Sequence, residues 1–189
     1  MQAIDALLNR RSAKTLTDPA PDEGALQLLL ESASRAPDHG RLRPWRFIVI
    51  RGPARERLGD LMAEQLRRRQ PAAGSESLQR ERQKALRAPL IIVIAAVPNA
   101  AARIPAIEQV LAAAAAAENV LLAAAALGFG AMWKTGDAAY DDTVKAALGL
   151  EAGDSIVGFI YVGTAPADAV PPPARGEWRD RVSYWSGTP

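Results

Sequence analysis

Cysteine is absent from this 189-residue chain, so disulfides, thiolate metal sites and cysteine nucleophiles are all excluded. Histidine occurs once, at His39, which rules out a histidine metal cluster and any two-histidine mechanism. A chain so poor in reactive side chains needs a borrowed cofactor for demanding chemistry. Net charge is only +2 despite the many arginines, too little to imply a nucleic-acid partner. The opening residues Met1-Gln2-Ala3-Ile4-Asp5 lack the basic-then-apolar pattern of a secretory signal. The apolar stretch 110–127 is mostly alanine and is interrupted by Glu118 and Asn119, which argues against a membrane span. A cytoplasmic protein is expected. With 49% hydrophobic and 23% charged residues, one soluble globular domain with a sizeable core fits the length.

Hydrophobic spacing and turn residues divide the chain into helices and strands. Ile4, Leu7 and Leu8 give a short first helix ending near Asn9-Arg10. Asp22 caps a second that runs to about Arg35. The run from Ala36 to Trp45, with two prolines and a glycine, is a loop, and 46–51 reads as a buried strand. Helices follow from Pro53 to about Gln70 and over 75–87. The segment 89–97, PLIIVIAAV, is the strongest central-strand signal. A long helix spans about 104–127 and stops at Gly128; a short strand covers 129–133, a short helix 141–148, and a last strand 155–163. The six alanines at 112–117 leave a smooth helical face, either a dimer seam or plain core. Arg67, Arg68, Arg69, Arg80, Arg82 and Arg87 are interleaved with Glu64, Glu76 and Glu81, the pattern of a salt-bridged, solvated helical face. Residues 1–165 form the expected domain. An extended tail, 166–189, is proline-rich and carries Trp178, Tyr184 and Trp185, so it should dock on its own domain or on a partner subunit.

Three segments carry chemistry. Arg10-Arg11-Ser12-Ala13-Lys14 puts two guanidinium groups, a hydroxyl and an ammonium within five residues, a natural phosphate clamp. Read alone, it is more simply a solvated basic turn that also offsets the dipole of the first helix. The second segment places His39 between Asp38 and Gly40 in a loop whose prolines restrain the backbone. The third, Gly128 to Gly136 (GFGAMWKTG), does not match the dinucleotide fingerprint. Gly128 reads as a helix C-cap, while Gly136 marks a place where backbone can approach a ligand closely.

In this order, NRRSA at 9–13, RAPDH at 35–39, RPW at 43–45, GFGAMWKTG at 128–136 and IVGFIYVGTAP at 156–166 resemble the nitroreductase family of FMN enzymes. The resemblance covers roughly residues 1–166. It implies an α+β fold of three layers, α/β/α, with a central mixed, mainly antiparallel sheet and a long central helix at a dimer interface. It implies that Arg10 and Ser12 hold the FMN phosphate, with Arg11 adding backbone or charge. Arg35, Pro37 and His39 would reach the same flavin from the other subunit of an obligate homodimer. Trp133, Lys134, Thr135 and Gly136 would lie along the isoalloxazine, with N–H groups near Thr135 and Gly136 aimed at N5. Lys14 would sit near N1 and the C2 carbonyl. Two departures stand out: Arg43 replaces the glutamine many relatives have before the PW pair, and no late Lys-x-Arg phosphate pair is clear, Arg175, Arg179 and Arg181 being candidates.

The expected activity is hydride transfer from NAD(P)H through FMN to a small acceptor such as a nitroaromatic or quinone, in a ping-pong cycle. With no separate dinucleotide fingerprint, nicotinamide and acceptor would use one space in turn, and water or His39 would supply protons. No catalytic side chain is otherwise expected, nor a metal, a nucleic acid or a membrane partner. Rival readings are a flavin-binding sensor or carrier without turnover, and an FMN dehydrogenase or double-bond reductase of the same fold.

Overall fold

A computed structural model describes residues 2–166 and 176–187 of the chain. The prolines 171–173 and Arg175 lie outside the described residues. Among the described residues six α-helices and four strands follow in the order expected: α1 (Ala3–Asn9), α2 (Glu23–Ala33), β1 (Trp45–Arg51), α3 (Ala54–Arg69), α4 (Ser75–Gln83), β2 (Leu90–Ala96), α5 (Ala106–Ala126), β3 (Gly130–Lys134), α6 (Asp142–Ala147) and β4 (Ser155–Gly163). Asp22 caps α2 as anticipated, its carboxylate accepting from the Ala25 N–H at 2.8 Å. Gly128, at φ 84°, follows the end of α5.

The strands form one sheet in the order β1-β2-β4-β3, and every pairing among them is antiparallel. The parallel component of the expected mixed sheet is reduced to an isolated bridge between Ser12 and Ala131. β2 is buried along its whole length because it is covered on both faces. Its residues alternate between two cores: Ile91, Val93 and Ala95 pack with Leu58 and Met62 of α3 and Val144 of α6. Leu90, Ile92, Ile94 and Ala96 pack with Leu26 and Leu29 of α2 and with α5. The result is three layers, α/β/α.

The alanine run of α5 serves mainly as core. Ala112, Ala113, Ala116 and Ala117 are buried, and their small side chains let the helix lie close to the sheet. The opposite side of α5 exposes Ile107 and Leu111. α5 is the one helix among the described residues long and apolar enough to cross a membrane, but one side of it is packed on the sheet. Ion pairs lace α3 and α4 as their charge pattern indicates: Arg67–Glu64, Arg80–Glu76 and Arg82–Asp60, with Lys84–Glu81 just past the end of α4.

Element ends shift by small amounts with local causes. α5 begins at Ala106, two residues later than expected, with Pro105 at its N-cap. α2 ends at Ala33, where tightened bonds from Arg35 N–H to Ser32 O and from Ala36 N–H to Ala33 O close the chain before Pro37. The expected helix over 75–87 is α4 followed by a 3₁₀ turn at Lys84–Leu86.

Candidate cofactor site

The chain leaves α1 at Arg10, whose N–H still bonds Ala6 O, and turns into extended backbone (φ −54°, ψ 133°). That extended run lies along β3. Ser12 bridges Ala131, and the Ala13 N–H donates to Ala131 O at 3.0 Å. Thr17 and Thr164 then exchange two backbone hydrogen bonds of 2.9 and 2.8 Å. The close approach depends on Gly130, where a Cβ would stand 2.7 Å from Leu16 Cδ2 and 2.9 Å from the Ala165 methyl. The clamp Arg10–Lys14 and the segment ending at Gly136 are thereby brought together, although more than a hundred residues separate them. Arg11, Ser12 and Lys14 are exposed, and Arg10 is pinned through Nε to Glu118 Oε1 at 3.2 Å.

At the far end of β3 the sheet pairing stops at Lys134, opposite Phe159. Thr135 and Gly136 then turn away from the sheet, exposed. Gly136 holds φ 69°, a left-handed conformation that side-chain-bearing residues rarely adopt, and the space beside its Cα is open. A 3₁₀ turn, Asp137–Tyr140, anchors the far side by burying Ala138 and Ala139. Trp133 contributes differently from its neighbours: its indole packs on Gly158 of β4 and donates from Nε1 to Val157 O at 3.1 Å. Its side chain is therefore committed to β4 and fixes where the strand ends.

The His39 loop lies elsewhere. Arg35 pairs with Glu31 on α2 at 3.1 Å, and Pro37 is exposed. Asp38 Oδ2 accepts from the Arg43 N–H at 2.7 Å, closing the loop on itself. Gly40 (φ 75°) has no room for a Cβ against Ile104 Cδ1. Arg41 and Arg43 hold φ of 54° and 50°, unusual for residues with side chains. His39 Nδ1 meets Glu108 Oε2 at 2.7 Å in the first turn of α5. Glu108 and Glu118, the two charged residues of α5, thus hold the loop and the clamp respectively, about 15 Å apart along the helix axis. Within one chain, His39 is anchored at a different level of α5 from the clamp, while Arg35 is held by Glu31 of α2. Both glutamates were missed from sequence; the signal available was two carboxylates on an otherwise uncharged helix.

Among the described residues no group of His, Cys, Asp and Glu could hold a metal. A groove of about 1050 Å³ between the end of α3 and α4 is lined by Leu66, the Arg80–Glu76 pair, the Lys84–Glu81 pair and Arg87, and contains none of the site residues. The tail residues that are described expose Trp178, Tyr184 and Trp185, with Arg179 stacked on Trp178 at 5.0 Å. Arg179 and Arg181 pair with Glu177 and Asp180.

An antiparallel sheet between helical layers, with a cation-rich strand laid along β3 and a long alanine helix beneath it, is the architecture of a nitroreductase-fold protein. The chain belongs to the Nitroreductase family, whose model matches residues 7–164. It is 39% identical over 166 residues to the "Putative NAD(P)H nitroreductase YdjA" of Escherichia coli K12, covering 87% of this chain and 88% of that protein. A similarly named protein of Haemophilus influenzae is 33% identical, covering 87% of this chain and 89% of its own length. Among solved structures, a nitroreductase-like family protein from Bacillus cereus superposes with a TM-score of 0.84 at 27% identity, over 99% of this chain and 97% of that one. A "putative nitroreductase in complex with FMN" from Desulfovibrio desulfuricans gives 0.75 at 28% identity, over 98% and 97%.

Proposed function

We propose that this chain is an FMN-dependent oxidoreductase that takes hydride from NAD(P)H and passes electrons to a small acceptor, a nitroaromatic or a quinone, in a ping-pong cycle. The observation that carries the reading is the Ser12–Ala131 bridge, which sets the Arg10–Lys14 clamp beside the strand ending at Lys134, Thr135 and Gly136. That donor set fits FMN: guanidinium, hydroxyl and ammonium groups suit one terminal phosphate, and the open backbone at Gly136 suits a flat ring laid against it. The relatives named as NAD(P)H nitroreductases and the FMN complex of a neighbour support the cofactor and the donor. FMN, when bound, supplies reversible two-electron hydride chemistry. Arg10 and Ser12 hold its phosphate, with Arg11 adding charge. Lys14 stabilises negative charge at the N1 side. The backbone N–H groups of Thr135 and Gly136 serve the N5 side; one such donor in a dry site is worth about 3 kcal/mol. Trp133 holds that backbone in place.

The working unit in this reading is a cytoplasmic homodimer. Ile107 and Leu111 of α5, with Ile4 and Leu8 of α1, expose apolar side chains that a second copy would cover. A two-fold axis passing near residue 113 would pair α5 antiparallel with itself. It would set Glu108 and His39 of one protomer beside Glu118 and Arg10 of its partner. The site would then be completed by Arg35, Pro37 and His39 from across the seam. The uncovered Trp178, Tyr184 and Trp185 support a tail that docks on the partner.

The test is the visible spectrum of the purified chain, before and after NADPH without air. A two-band flavin spectrum that bleaches, with heat releasing FMN and no FAD, is expected. A colourless protein that takes up no added FMN overturns the reading. Reciprocal rate against reciprocal NAD(P)H should give parallel lines at several acceptor concentrations; intersecting lines would overturn the ping-pong order.

A further inference from the structure

The single histidine of the chain is held by a carboxylate, and the loop that carries it is fixed more firmly than a solvent-exposed connector requires. Glu108 sits in the first turn of α5, where the helix fixes its backbone, and its Oε2 lies 2.7 Å from His39 Nδ1. On the loop side, the Asp38 carboxylate accepts from the Arg43 N–H, and Gly40 is pressed on Ile104. Arg41 and Arg43 are both kept at left-handed φ. Residues held in sparsely populated backbone regions persist where the surroundings over-determine them, commonly at functional sites. An exposed ion pair contributes little to stability, and the side chains of His39 and Glu108 are 68% and 43% exposed. Orientation is what this contact supplies.

We propose that Glu108 and His39 form a proton-delivery pair for the acceptor. Glu108 is the positioning residue and His39 the donor. By accepting from Nδ1–H, Glu108 fixes the ring so that the transferable proton is carried on Nε2. The inference rests on the shared FMN site proposed above, with His39 facing the partner protomer's flavin. The other charged residues of the loop are Asp38, already engaged by the Arg43 N–H, with Arg41 and Arg43, and on the facing connection Arg103 precedes Ile104, against which Gly40 lies.

For a quinone the step balances with one proton. NAD(P)H and the quinone, with H⁺, give NAD(P)⁺ and the hydroquinone. As hydride equivalents reach the quinone from the reduced cofactor, the His39 Nε2–H bond breaks and an O–H bond forms on a quinone oxygen. His39 is left neutral with Nδ1–H still on Glu108, and it recovers the proton from solvent before the next turnover.

The test uses the FMN-loaded full chain with ring-¹⁵N histidine; a single histidine gives one pair of ring-nitrogen signals. In mildly alkaline buffer the wild type should show a protonated Nδ1 and a bare Nε2. Glu108→Gln should keep that tautomer, because its amide oxygen still accepts, whereas Glu108→Ala should lose it. In stopped flow, Glu108→Ala and His39→Gln should slow reoxidation by a benzoquinone about 10- to 100-fold more than they slow reduction by NADPH. The solvent deuterium isotope effect on wild-type reoxidation should disappear in His39→Gln. An unchanged tautomer in Glu108→Ala, or an unchanged reoxidation rate and isotope effect in FMN-loaded His39→Gln, overturns the proposal. A chain that takes up no FMN overturns the flavin reading, and this role with it, before any variant is compared.

Discussion

Gly158 of β4 is the position from which the candidate site can be perturbed without touching it. Replacing it with alanine puts a methyl group into the Trp133 indole, 2.5 Å from Cδ1, 3.0 Å from Cε2 and nearer still to Nε1. These atoms belong to a rigid ring whose Nε1–H is engaged by Val157 O, so the ring must move and the hydrogen bond must break. Overpacking a core costs about 1–3 kcal/mol, and the lost hydrogen bond adds about 1 kcal/mol, giving about 2–4 kcal/mol for Gly158→Ala. For a chain of this length that lowers the melting temperature by roughly 5–15 °C, measured by circular dichroism on the FMN-free protein at fixed concentration. Trp133 directly precedes Lys134, so displacing it should also weaken FMN uptake, read by flavin fluorescence. Trp133→Phe removes Nε1 and shrinks the ring; in that background Gly158→Ala should cost at least about 1 kcal/mol less. A Gly158→Ala protein that melts with the wild type, with no coupling to Trp133→Phe, would refute this account of how the end of β3 is held.

Arg10→Ala should weaken FMN binding by about 1.5–3 kcal/mol, roughly a 10- to 150-fold rise in Kd, because a charge-assisted contact is lost and Glu118 is left beside the phosphate; an unchanged Kd removes Arg10 from the clamp. Leu111→Lys should convert the proposed dimer to monomer in sedimentation and release FMN together with it, since Leu111 is exposed on the proposed seam; a wild-type monomer, or a dimer indifferent to Leu111→Lys, refutes the seam. Burial pushes the Tyr161 hydroxyl up to about 12, with Arg87 opposing the shift and Glu81 adding to it. An unfolded tyrosine ionises near 10, so the stability Tyr161 lends is whole below pH 10 and is lost as pH rises toward 12, on the order of 2–3 kcal/mol. Urea midpoints across that window should fall faster in the wild type than in Tyr161→Phe, and ultraviolet titration should show one of the three tyrosines ionising late; a single step near 10 refutes the burial.

Much of the fold was legible because its signals are local. The unbroken apolar run of β2 announces a strand covered on both faces, and Asp22 and Gly128 mark helix ends by mechanisms that operate within a few residues. The three chemistry-bearing segments were likewise visible as text. Their arrangement was not, because it depends on contacts between distant parts of the chain: Ser12 with Ala131, Arg10 with Glu118, His39 with Glu108. Trp133 shows the limit within a single motif. In GAMWK the strand alternates, so Ala131 and Trp133 face the α5 layer and Met132 the other. The indole goes inward because Gly158 on the neighbouring strand leaves it room, and nothing in residues 128–136 reveals that vacancy. The alanine run of α5 was open between core and seam; its burial assigns 112, 113, 116 and 117 to the core and leaves the Ile107–Leu111 side for whatever covers it.

α5 also acts as a ruler. Its rise and rotation set the separation of Glu108 from Glu118, and hence of the loop from the clamp. One residue inserted between them would carry Glu118 about 1.5 Å along the axis and turn it by about 100°, away from Arg10. The same insertion would rotate alanines out of the core and longer side chains into it. Changes in chain length that the family tolerates should therefore fall in the connections, such as 70–74 between α3 and α4 or 97–105 before α5. Between Glu108 and Glu118 the number of residues should be fixed even where their identities drift among small side chains.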